Sequence, residues 1–314
     1  MKSGLLLIDK SPGMTSHDVV GKVRRILKTK SVGHSGTLDP FASGLMVLLV
    51  GQATKISDYL RDGDKSYSLK VRWGSETDSL DRTGEVVRTE SKQVDPEVLQ
   101  SVALSAQGDL RLPIPLFSAK KINGKKLCEY ARSGEAVEIP EKVMSFYGLQ
   151  LEEVTSEFLT GEISCRSGGF IRSWAQHVGR ESGALGYLDE LRRTECCGYS
   201  IEQALTLENL QESLVDLEGI DCLNCFIPLS QALSHWPTVT IKGKDADLLR
   251  NGQVSHDLAR RLNPEQRRAQ AFGETIGVRV INGQTGQLLS LLEARPTSKL
   301  KIRRVFQVGA QATQ

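Results

Sequence analysis

The chain has 314 residues, 39% hydrophobic and 25% charged, with a formal net charge of +2. That length holds two domains and a sizeable core, and that balance excludes disordered and fibrous polymers. The apolar run Leu45 to Val50 is far shorter than a membrane span, and Met1-Lys2-Ser3 leads directly into an apolar strand with no signal-peptide pattern, so the chain reads as cytoplasmic with no membrane partner.

In chain order, Gly4 to Ile8 reads as a strand and Asp9 to Gly13 as a turn. Thr15 or Ser16 can cap a helix running to Leu27, with Val19, Val20, Val23, Ile26 and Leu27 on its apolar face. Lys65 to Gly74 alternates, with Tyr67, Leu69, Val71 and Trp73 on one face and Ser66, Ser68, Lys70 and Arg72 on the other, which predicts a half-buried strand. Residues 75–145 are polar, and Pro113, Pro115, Asn123 and Gly124 among basic residues predict an excursion from the core, placed at 113–145. A strand near Ile163 to Arg166 leads through Gly168-Gly169 to a helix carrying Ile171, Trp174, Ala175 and Val178, and Leu185 to Thr194 forms a further apolar and basic element. Residues 200–234 read as helical, from Leu205, Leu210, Leu214 and Leu217. After Ser234 to Pro237 the pattern shifts to short strands (Val239 to Ile241, Ile276 to Ile281, Leu288 to Leu292), which predicts a small β-rich second domain over 235–314, after a first domain over 1–232.

The six cysteines fit reduced thiols. Cys222 and Cys225 form a lone C-x-x-C, and adjacent Cys196 and Cys197 make a poor half of a zinc site, so no metal is expected. Three basic clusters stand out: Lys10, Lys22, Arg24, Arg25, Lys28 and Lys30; Lys120, Lys121, Lys125, Lys126 and Arg132; and Lys299, Lys301, Arg303 and Arg304. Each alone is most simply a solvated face, whereas three in a nearly neutral chain suggest a polyanionic partner.

The segment Gly33 to Lys55 carries the chemistry. Asp39 lies between Leu38 and Pro40, and proline pushes the residue before it toward extended conformations. The strand-like run Leu45 to Val50 follows at once, so Asp39 sits on a tight turn against a buried strand. A carboxylate there is held with little freedom, although an Asp-Pro step taken alone is an ordinary turn cap.

Gly33, His34, Gly36, Thr37, Leu38, Asp39, Pro40, Ala42, Gly44, Gly51, Ala53, Thr54 and Lys55 together resemble the signature of the bacterial tRNA pseudouridine synthases of the TruB type. The resemblance continues at Lys10 with Pro12 to Ser16, at Lys65 and Tyr67 followed by Gly74, Thr77-Asp78, Asp81 and Gly84, at Gly169 to Arg172, and at Leu191 to Arg193. It covers nearly the whole chain, more weakly after about residue 235.

It implies an α+β fold: a pseudouridine-synthase mixed β-sheet core with flanking helices, plus a small β-rich PUA-like RNA-binding domain at the C-terminus. It implies isomerisation of uridine 55 in the tRNA T-loop, in which the C1′–N1 bond breaks and the base rejoins through C5. The base is both leaving group and acceptor, so no cofactor is needed. By resemblance Asp39 is the catalytic carboxylate, acting covalently at C1′ or removing the C2′ proton. Arg172 would hold it ionised and oriented, and Tyr67 would stack on the flipped base and assist proton removal from C5. His34 would manage the flip, Leu191 would wall the uracil pocket, and Lys10 would contact a phosphate. Lys120, Lys121, Lys125 and Lys126 would grip T-loop phosphates, positioning rather than specifying.

The chain departs from that pattern at Ser11 (commonly proline), Ser79 (threonine), Cys128 (an aromatic), Phe170 (tyrosine) and Leu112 to Phe117 (Q-x-P-P-x-Y). These departures touch RNA contacts and leave the carboxylate in place. The absence of long basic tails and the presence of the 113–135 excursion favour a monomer acting without guide RNA over a guide-dependent particle subunit. A tRNA-binding or folding chaperone is the alternative from another class, and the intact set Asp39, Tyr67 and Arg172 argues against it.

Overall fold

A computed structural model describes residues 2–216, 219–297 and 300–307; Leu217 and Lys299 lie outside them. A ten-stranded mixed sheet forms the centre. Its main path runs Phe226–Pro228, Gly4–Lys10, Ser43–Val50, Gly186–Cys196, Lys65–Trp73, Phe158–Cys165, Glu141–Val154 and Gly108–Pro113. Neighbours pair antiparallel except at the centre, where Arg192 and Arg193 lie parallel to Ser43 and Gly44. Ser43–Val50 is buried almost throughout, as a strand covered on both faces must be, whereas Lys65–Trp73 alternates.

Register aligns the site. Arg193 lies opposite Tyr67 on one side and Gly44 on the other, so one row crosses three strands. Period-two alternation puts Leu191 on the Arg193 face, opposite Leu69. Gly44 has φ +105°, and a Cβ there would stand 2.4 Å from the Arg193 carbonyl oxygen.

Helix Ser16–Ile26 starts where its sequence provides a capping box: Thr15 accepts from the Asp18 N–H, and Asp18 accepts from the Thr15 N–H. Helix Ile171–Ser182 buries Trp174, whose Nε1 donates to the Ala106 carbonyl at 2.8 Å, tying it to the end of helix Pro96–Ser105.

Three stretches differ from their sequence reading. Within 75–145, helix Pro96–Ser105 and strand Gly108–Pro113 belong to the main body; Asp95 caps that helix and Pro96 suits its first turn. Residues 141–145 begin the strand Glu141–Val154, so the excursion ends before them. Between 200 and 234 one α-helix, Leu207–Asp216, is accompanied by short 3₁₀ turns, and Phe226–Pro228 pairs with the first strand. Beyond 235, strands Thr238–Ile241, Ile276–Asn282, Leu288–Ala294 and Lys301–Val305 form a separate four-stranded sheet. Three helices, Lys244–Arg250, His256–Arg261 and Asn263–Phe272, pack with it, so this unit is less purely β than the alternation suggests.

The C-terminal strand docks on the end of the Gly33–Lys55 segment. Gln52 donates to the Gln307 carbonyl at 2.6 Å and accepts from its N–H at 2.8 Å, while Arg304 donates to the Lys55 carbonyl at 3.0 Å. Arg303 pairs with Glu293 at 2.9 Å. Of the tail cluster, Arg304 and Arg303 reach the first unit, the latter donating to the Tyr59 hydroxyl at 3.4 Å.

Gly44→Ala should be destabilised by about 3 kcal/mol or more, from a left-handed φ and a backbone clash together. Chemical denaturation against wild type checks this; an unchanged midpoint would contradict the close packing of Gly44 on Arg193.

Candidate active site

Asp39 lies on the loop joining strand Val32–His34 to strand Ser43–Val50, and every turn of that loop is tied down. Ser16 Oγ donates to the Leu38 carbonyl at 2.9 Å and accepts from the Leu38 N–H at 2.8 Å. The Pro40 carbonyl accepts from the Gly13 N–H at 2.8 Å and from Lys10 Nζ at 3.3 Å. Fully buried Arg193 donates to the carbonyls of Leu45 at 2.7 Å, Thr37 at 3.2 Å and Gly36 at 3.5 Å. The backbone around Asp39 is therefore set before any ligand arrives.

The carboxylate is set separately. Arg172 Nε lies 2.9 Å from Asp39 Oδ2. Arg172 is buried, and its other nitrogens donate to the Ser79 carbonyl at 2.8 Å and the Phe117 carbonyl at 3.0 Å. Buried Asp81 stands 3.7 Å away and accepts in turn from Ser79 Oγ at 2.8 Å and the Thr83 N–H at 3.0 Å. The guanidinium fork thus links the Asp39 loop, the turn at 77–84 and the excursion.

Asp39, Arg172, Tyr67, His34, Leu191 and Lys120 line one cavity of about 470 Å³, with Phe170 and Ile171. Tyr67 is buried, which pushes its phenol well above the ordinary 10, while the bonded Arg193 guanidinium pulls the other way. The phenol is neutral in the resting site. Burial, assisted by the Arg193 charge, lowers the His34 pKa below 6.5, so its imidazole is neutral at pH 7.

One residue is not placed as the sequence suggests. Lys10 is completely buried and donates to the Ser11, Met14 and Pro40 carbonyls, so it braces the Asp39 loop rather than meeting a phosphate. Lys125 is ion-paired with Glu135 at 2.5 Å and lies 4.4 Å over the Tyr130 ring. Lys120, Lys121 and Lys126 carry no ion pair among the described residues, and of these Lys120 reaches the cavity. Arg193, Ser16 and Asp81 received no role from the sequence. For Arg193 the signal was its parity with Leu191 on a strand.

Residues 24–171 match the model of the TruB family pseudouridylate synthases, N-terminal domain. A tRNA pseudouridine synthase B of Bdellovibrio bacteriovorus is 42% identical over 307 residues, 97% of each chain. The chain belongs to the TruB family. A synthase B of Syntrophobacter fumaroxidans is 36% identical across 98% of both chains. A chain from an H/ACA RNP bound to a substrate RNA containing 2′-deoxyuridine superposes with a TM-score of 0.69 at 19% identity, covering 98% of this chain and 86% of that one. A chain of a Cbf5-Nop10-Gar1 complex gives 0.66 at 21%, covering 97% and 84%. These two show the shared fold: a mixed sheet with flanking helices and a β-rich C-terminal unit.

Lys10 has its pKa lowered to about 8, mainly by burial. Between that value and the ordinary 10.5 the unfolded chain keeps a proton that the folded chain has lost, so the Lys10 contribution to stability rises with pH across that window. Lys10→Met should remove the rise, so its deficit against wild type widens from pH 8 to 10 in denaturant titrations. A pH-independent deficit would contradict the buried-amine account.

Proposed function

We propose that this protein converts uridine 55 of the tRNA T-loop to pseudouridine, as a monomer acting without guide RNA or cofactor. The observation that carries the reading is one cavity in which Asp39, oriented by a buried arginine, faces an aromatic ring and an apolar wall. A base inside a folded stem-loop cannot reach such a recess unless it is flipped out. Tyr67 stacks on the extruded uracil, Leu191 closes the pocket and His34 stands at its rim.

With Oδ2 held by Arg172, Asp39 presents its other oxygen to C1′ and C2′ of the sugar. Glycosidic cleavage leaves uracil confined by Tyr67 and Leu191, and that confinement favours rotation and C5–C1′ bonding over escape. The C5 proton must then leave and N1 must gain one, and we assign that relay to Tyr67, which has Arg193 beside it. The C-terminal unit serves as an RNA-binding domain over 235–314, attached to a catalytic domain over 1–232.

Asp39→Asn should abolish pseudouridine formation in a tRNA transcript while leaving tRNA affinity within about threefold, because the change is nearly isosteric and removes one charge. Pseudouridine mapping beside a binding titration reads both. Full turnover in the variant would end the role assigned to Asp39.

A further inference from the structure

Building on the reading of the cavity as a uridine pocket, we infer that Arg61 is a phosphate-positioning residue at its mouth. With Lys120, it would hold the backbone of the extruded nucleotide. A flipped nucleotide stays joined to two phosphates, and these must lie where the cavity opens. The cationic lining residues there besides Arg172 are Arg61, Lys65 and Lys120, and the lining carboxylate is Asp39, already engaged by Arg172.

Arg61 ends the short helix Ser57–Arg61. Its carbonyl accepts from Ser167 Oγ at 2.9 Å and from Lys65 Nζ at 3.3 Å, both from residues that line the same cavity. Its backbone is therefore pinned to the site. Its side chain is 66% exposed and meets Asp58, itself 65% exposed, at 3.4 Å. An exposed pair of that kind contributes little, so a phosphate can displace the carboxylate at little cost. The Arg61 charge also reaches the site, being among those that depress the His34 pKa. Lys65 directs its ammonium to the Gly63 carbonyl at 2.6 Å, which leaves Lys120, and Arg61 once Asp58 is displaced, to grip a phosphate. They come from separate segments of the chain, suiting one phosphate on each side of the flipped sugar.

The test uses Arg61→Gln and wild type with T-arm hairpin RNAs. One hairpin is fully anionic, and two others carry a single neutral methylphosphonate 5′ or 3′ of the target uridine. Kd across a salt series and pseudouridine formation are both measured. Arg61→Gln should bind the anionic hairpin about tenfold more weakly at low salt. The slope of log Kd against log salt should shrink by about one contact. One methylphosphonate should weaken wild type by a similar factor and leave the variant unchanged, a coupling that a merely structural role would not produce. Equal Kd and slope in variant and wild type, or losses that simply add, would overturn the Arg61 assignment while leaving the pocket reading intact. A wild-type protein that binds the hairpin but leaves its uridine unconverted would overturn both.

Discussion

The site depends on one guanidinium that cannot go anywhere else. Arg172 is buried in the first turn of its helix, and a buried cation is tolerated only where its donors are matched. Its matches are the Asp39 carboxylate and two backbone carbonyls from distant segments. Removing any one leaves a buried donor unsatisfied, at a cost of about 1–3 kcal/mol. The same bonds that satisfy Arg172 therefore fix the carboxylate, the turn around Asp81 and the root of the basic excursion relative to one another. Stability and the geometry of the candidate site share one residue.

Two further buried cations extend this logic to the backbone. Arg193 and Lys10 grip carbonyls on either side of Asp39, and Ser16 closes the loop at Leu38. A loop that must present a carboxylate without sagging cannot rely on apolar packing alone, because its carbonyls need partners. Charged donors brought up from beneath supply them. Gly44 leaves room for this arrangement by letting the Arg193 backbone approach closely.

Much of this was legible in the sequence, and the remainder was hidden for physical reasons. The Asp39 turn followed from an Asp-Pro step before an apolar strand, and the Tyr67 face followed from alternation. The pairing of Arg172 with Asp39 was not local, so only the family resemblance suggested it. Lys10 and Arg193 were misread or passed over because charged side chains are seldom fully buried, and pattern reading assigns them to water. The tail arginines looked free because their partners, Glu293 and the Lys55 carbonyl, lie on other elements. The helices between residues 244 and 272 escaped because short amphipathic turns beside strong strands leave a weak periodic signal.

The central claim is that the Arg172 fork, and not merely a positive charge, orients Asp39 for reaction. Arg172→Lys keeps the charge but replaces a planar fork, whose three nitrogens each reach a different acceptor, with a single nitrogen that cannot span all three positions. The direct measurement is the single-turnover rate of pseudouridine formation in a tRNA transcript saturated with the folded variant. The account predicts a fall of about a hundredfold or more, since a small misplacement of the reacting group costs that much. A rate within a few-fold of wild type would contradict it.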